Sequence, residues 1–183
     1  MIILGIDPGS VNCGWGVISA ADDGALRVVE YGVIRAKKAD ANMPGRLKEI
    51  YTRLGQVIHR NRPDCAVFES AFYSRNVQSL MKLSHARAAA VLATVMEDIA
   101  IEEYTPREVK KSVTGRGNAG KEQVDFMVRR MLGIKESPEF FDATDALAVA
   151  ICYSIKRRSP KNSAGSWEDF LKKNSARIVD PNK

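Results

Sequence analysis

The sequence is poor in the residues that build disulfide frameworks and soft-metal sites. Its three cysteines, Cys13, Cys65 and Cys152, lie far apart with no Cys-x-x-Cys spacing, which excludes a disulfide scaffold and a cysteine zinc site together. Reduced thiols in a cytoplasmic protein are the expectation that follows. Only His59 and His85 are present, too few for a histidine-rich metal site or a multi-histidine mechanism. Apolar runs are short and broken by charge, so no membrane span fits. The opening Met1-Ile2-Ile3-Leu4-Gly5-Ile6-Asp7 lacks a positively charged stretch and a cleavage site and reads as a strand, not as a signal peptide. Gly5, Gly9 and Gly14 do not fall in the Gly-x-x-x-x-Gly-Lys-Ser/Thr order, which excludes a P-loop. No internal repeat is present.

What is there is an ordinary globular composition, 45% hydrophobic and 27% charged over 183 residues. At about 150 residues per domain, that length favours one domain and a tail. The net charge is +6 and the pI is near 9.3, a balance that points to a polyanionic partner such as nucleic acid.

Residues 2–7 form a nearly continuous apolar run suited to a strand buried on both faces. Gly9, Gly14 and Gly16 punctuate a turn into a second strand near 13–19, and Asp22-Asp23-Gly24 marks a hairpin into a third near 26–35. Leu47, Ile50, Leu54, Val57 and Ile58 follow helical spacing up to Asn61-Arg62-Pro63. A short strand, Cys65-Ala66-Val67-Phe68-Glu69, precedes a helix over 77–98 whose Ala86, Ala89, Ala90 and Ala93 permit close helix approach. A strand near 99–104 leads into Thr105-Pro106-Arg107-Glu108, a helix start with a capping box. A glycine-rich loop at 114–120 separates that helix from another at 121–132, and the last long helix covers 142–156. From Ser159 the chain is polar and Ser/Asn/Lys-rich, with a short docking helix possible around Trp167, Phe170 and Leu171. Three antiparallel strands followed by alternating helix and strand give an α/β fold with a mixed sheet.

Asp7 and Glu69 each end an apolar strand. Ligand sites of α/β sheets lie beyond the carboxyl ends of strands, so the two carboxylates stand side by side if those strands are parallel neighbours. Asp142 and Asp145 are three apart and face one way from the first turn of a helix, with Asp142 placed as the N-cap. Either acid alone is explained by capping or by the helix dipole. Four acids without Cys or His instead suit a hard, oxygen-liganded ion such as Mg²⁺ or Mn²⁺. Beside a basic surface, two such ions serve phosphodiester cleavage. Lys110, Lys111, Arg116 and Lys121 flank the glycine-rich loop and supply phosphate-neutralising charge.

Gly5-Ile6-Asp7-Pro8-Gly9-Ser10 resembles the opening of the RuvC family of bacterial Holliday junction resolvases. The resemblance continues through Phe68-Glu69-Ser70-Ala71-Phe72, Leu83-Ser84-His85-Ala86-Arg87, Thr114-Gly115-Arg116-Gly117-Asn118-Ala119-Gly120-Lys121 and Asp142-Ala143-Thr144-Asp145. It implies an RNase H-like fold, a mixed sheet of about five strands flanked by helices, occupying 1–157, with 158–183 as a tail outside the likeness. It implies a homodimer joined through the helix over 77–98, and metal-dependent symmetric nicking of four-way DNA junctions in recombination and repair. Asp7, Glu69, Asp142 and Asp145 become ligands for two Mg²⁺ ions, which Mn²⁺ can replace. Lys110 and Lys121 support DNA binding or catalysis, Phe72 faces the junction, and the RuvA–RuvB branch-migration complex is the implied partner. The competing readings are an RNA–DNA hybrid nuclease of the same fold, an actin-like phosphotransferase, for which one domain is too short, and a non-catalytic junction-binding module.

Overall fold

A computed structural model of the chain describes residues 1–70, 76–135 and 141–158. Five strands, β1 (Ile2–Asp7), β2 (Cys13–Ala20), β3 (Leu26–Ile34), β4 (Cys65–Glu69) and β5 (Ala100–Tyr104), form one sheet in the order β3-β2-β1-β4-β5. The first three pair antiparallel, while β1–β4 and β4–β5 are parallel. The helices are α1 (Ala36–Ala39), α2 (Met43–Asn61), α3 (Val77–Val95), α4 (Pro106–Thr114), α5 (Lys121–Leu132) and α6 (Phe141–Arg158).

Strand alternation sorts the core into two halves. Ile3, Ile18, Cys65 and Val67 face α4, α5 and α6, whereas Leu4, Ile6, Val17, Ala66 and Phe68 face α2 and α3. The period of two therefore places Asp7, two residues beyond Gly5, and Glu69, two beyond Val67, on the α6 side.

Local chemistry fixes the ends of the elements. Asn42 caps α2 by accepting from the Gly45 N–H, with Pro44 in the first turn. The Thr105 hydroxyl and the Glu108 carboxylate form the capping box of α4, which ends at Gly115 in the left-handed region. Glycines on β1 and β2 let α6 lie directly on the sheet. A Cβ at Gly5 would collide with the Ala146 carbonyl oxygen, and one at Gly14 with that of Asp142.

Four expectations are corrected. Gly14 and Gly16 lie inside β2, where they admit α6, and do not form the turn. Helix α3 ends at Val95, and the chain turns at Asp98 through a positive φ of 55°. Helix α6 begins at Phe141, which puts Asp142 inside its first turn instead of at the N-cap. Ala86, Ala90 and Ala93 are buried in the chain's own core against α2, so they are not free to meet a second copy. The 159–183 segment, with its suggested docking helix, lies outside the described residues, and α6 itself runs on to Arg158.

Candidate active site

The site is built at the carboxyl edge of β1 and β4. Their parallel register pairs Ile6 with Phe68, so the next residue on each strand, Asp7 and Glu69, falls at the same level. Across the antiparallel side Asp7 pairs with Gly14, the glycine on which the Asp142 backbone rests. The first turn of α6 is thereby pressed against the strand that carries Asp7. Asn12, just before β2, donates from Nδ2 to Asp142 Oδ2 at 3.2 Å. Asp145, one turn further along α6, accepts from Lys121 Nζ at 3.4 Å.

Asp7, Glu69, Lys110, Lys121 and Asp145 line one cleft of about 210 Å³. A neighbouring cleft of the same size, also bounded by Asp7 and Glu69, extends toward Ser70, Leu83 and Arg87. Of the basic residues read from the sequence, Lys110 and Lys121 reach the acids. Lys111 and Arg116 are exposed and do not line either cleft. Phe72 lies outside the described residues.

The electrostatics reflect crowding of like charges. Burial first, then Asp145, Glu69 and Asp142, push the Asp7 carboxyl up to about 7. Burial and then Asp145 raise Glu69, against the lowering effect of Lys110 and Lys121. Asp145 is raised by burial despite the adjacent Lys121. Lys121 is held more firmly protonated, chiefly by Asp145.

Such a cluster of half-buried oxygen donors carries more negative charge than one lysine ion pair offsets, and a hard divalent cation is the group whose chemistry matches it. Among the described residues, no three acidic, histidine or cysteine side chains stand at the mutual spacing of a formed metal shell. The donor type, and the cleft that Asp7, Glu69 and Asp145 share with Asp142 just outside its lining, fit the ion.

The sequence matches the model of the family described as "Crossover junction endodeoxyribonuclease RuvC" over residues 3–153. The chain belongs to the RuvC family. Among its relatives, the crossover junction endodeoxyribonuclease RuvC of Cytophaga hutchinsonii is 39% identical, covering 97% of this chain and 88% of that protein. The one from Prosthecochloris aestuarii is 40% identical, over 98% of this chain and the full length of that protein. The fold is similar to that of T. thermophilus RuvC in complex with Holliday junction substrate, with a TM-score of 0.80 and 32% identity, covering 86% of this chain and 95% of that one. The mixed five-stranded sheet flanked by helices is thus the RNase H-like sheet of the RuvC resolvases.

Two site features have no signal in the RuvC motifs read from the sequence. The Asn12–Asp142 contact spans 130 residues, and the only local hint is that Asn12 follows the Asp7 turn. Arg87 falls within the Leu83-Ser84-His85-Ala86-Arg87 motif, but its approach to the back of Glu69 appears in the folded chain alone.

Proposed function

We infer that the chain is an endodeoxyribonuclease that resolves four-way (Holliday) DNA junctions in homologous recombination and repair. The observation that carries this reading is family membership over residues 3–153, a span that contains all four carboxylates.

Asp7, Glu69, Asp142 and Asp145 are assigned as the residues that hold the metal, two Mg²⁺ ions with Mn²⁺ as a substitute. Held there, the cations would supply Lewis-acid stabilisation of phosphoryl charge and lower the pKa of the attacking water. The chain's own residues do the rest. Lys121, beside Asp145, places a fixed positive charge at the rim of the acid cluster, where an incoming phosphodiester would otherwise be repelled. Lys110 adds a second charge from α4. Lys111 and Arg116, exposed near the same loop, are assigned to the flanking DNA backbone, where contact is electrostatic and indifferent to sequence. Phe72, three residues past Glu69, is assigned to stacking on an unpaired base.

Paired cuts need paired sites, and a two-fold dimer supplies them. Its contact is assigned to the outward face of α3. Val77, Met81, Leu92 and Val95 are exposed there, and His85 and Ala88 complete a seam with spacings of three and four along the helix. Cys13, Cys65 and Cys152 are buried and free, which supports a reducing, cytoplasmic setting. No described helix is long and apolar enough to cross a membrane. The RuvA–RuvB branch-migration complex is the expected partner on the junction. Residues 1–157 constitute the nuclease domain in this reading, and 158–183 a tail.

The test is a digest of a labelled four-way junction, a linear duplex and an RNA–DNA hybrid side by side, with Mg²⁺ or with a chelator. Junction cutting that needs the metal is expected. Preferential loss of the RNA strand of the hybrid would make the chain a hybrid nuclease, and ATP hydrolysis without nicking would revive the phosphotransferase. Junction binding without any cleavage would make it a binding module.

A further inference from the structure

We propose that Arg87 is a positioning residue for junction cleavage: from α3 its guanidinium grips the main chain of Glu69 and the carboxylate of Glu103, and so fixes the strand end from which Glu69 serves the active site. The proposal rests on the assignment of Glu69 given above.

Three contacts converge on one planar head group. Nη1 donates to the Glu69 carbonyl oxygen at 2.7 Å. Nη2 meets Glu103 Oε1 at 2.6 Å. The guanidinium carbon lies 5.3 Å from the centroid of the Phe68 ring, which is itself fully buried. Arg87 thus touches two consecutive residues of β4 and one of β5. Its side chain is only 16% exposed, whereas Glu103 is 50% exposed, so the firmer anchor is the partly buried, charge-assisted hydrogen bond to the Glu69 carbonyl.

The location gives these contacts their consequence. Glu69 is the last residue of β4, and just beyond it the Ser70 N–H donates to the Tyr104 carbonyl at 2.8 Å. The Glu69 side chain projects to the α6 side of the sheet, whereas Arg87 comes from α3 on the opposite side. Arg87 therefore holds the Glu69 main chain from behind. A carboxylate must sit within about 0.5 Å of its productive position to act, and mutual repulsion within the acid cluster works to displace it. Arginine suits the role because its rigid fork addresses two acceptors at once, which a lysine ammonium does not. Arg87 also borders a cleft with Asp7 and Glu69, so direct phosphate contact is the rival explanation. Two of its nitrogens are already committed to Glu69 and Glu103, and that favours positioning.

The experiment compares full-length wild type, Arg87→Ala and Arg87→Lys on a four-way junction. It reads the single-turnover rate at saturating enzyme, the Mg²⁺ concentration for half-maximal rate, junction affinity against salt in chelator, and the melting midpoint. Positioning predicts that Arg87→Ala loses on the order of 10- to 100-fold in rate and needs several-fold more Mg²⁺. Junction affinity and its salt slope stay within about twofold of wild type. Added guanidinium ion restores part of the Arg87→Ala rate, and Arg87→Lys, which keeps charge without the fork, stays well below wild type. A wild-type rate in Arg87→Ala overturns the proposal. So does a loss of affinity with a salt slope lowered by about one, the mark of a phosphate contact. If Arg87→Ala does not fold, Arg87→Lys decides: a wild-type rate there overturns the proposal. A wild type that fails to cut the junction at all contradicts the resolvase reading, a separate outcome.

Discussion

Replacing Asp7 with Asn separates the stability of the site from its function. Burial and three acidic neighbours move the Asp7 carboxyl from 3.8 to about 7. Three pKa units at about 1.36 kcal/mol each correspond to about 4 kcal/mol. Between about pH 4 and 7 the folded chain retains a proton that the unfolded chain has released, so stability falls as pH rises through that window. The full cost is present above it. Asn keeps the shape and removes the ionisation. The metal-free variant should therefore be more stable than wild type by about 2–4 kcal/mol near pH 8, and nearly equal near pH 3, below the unfolded value of 3.8, where Asp7 is protonated in both states. For a chain of this size the pH 8 difference is a melting midpoint about 4–16 °C higher. Mg²⁺ should narrow the gap, because it binds and stabilises the native wild type more strongly than the variant. Cleavage should fall on the order of a hundredfold or more, with junction binding retained or tightened as a negative charge leaves the phosphate site. Calorimetry at the two pH values, with chelator and with Mg²⁺, reads the first part and a single-turnover digest the second. Equal stability of the two proteins near pH 8, or cleavage above a few per cent of wild type, would refute the reasoning.

Other perturbations probe the frame around the acids. Lys110→Ala and Lys121→Ala should each weaken junction binding and lower the salt slope by about 0.9, read by titration at several salt concentrations; unchanged binding and cleavage would return both lysines to the solvent. Gly14→Ala places a methyl group against the Asp142 carbonyl. It should cost about 1–3 kcal/mol in denaturant unfolding and a larger share of the cleavage rate, because α6 must lift away from β2. Leu92→Glu, on the exposed face of α3, should give a folded monomer by sedimentation. Ala93→Glu, 2% exposed, should unfold the chain by burying a charge.

Strands β1 and β4 were legible because burial on both faces writes continuous apolar runs, which Asp7 and Glu69 interrupt at the same point. The capping box of α4 was legible for the same local reason. Elements that depend on tertiary partners were not. Four-residue α1 is too short to show a period. Helix α3 is apolar on more than one side, so its alanines gave no sign of which face meets α2 and which meets solvent. Only the fold assigns Ala86, Ala90 and Ala93 inward and Met81, Leu92 and Val95 outward. Gly14 and Gly16 looked like turn residues because a close helix–sheet approach and a turn both call for glycine. Arg87 and Asn12 act across 18 and 130 residues, distances over which no local pattern speaks.

The central claim, that the carboxylates at the end of this sheet resolve junctions as a symmetric pair, is tested most directly by mapping the cuts on all four strands of an immobile junction. The account predicts metal-dependent cuts at symmetric positions in two opposed strands. Cuts confined to one strand, or scattered equally over junction arms and linear duplex, would contradict it.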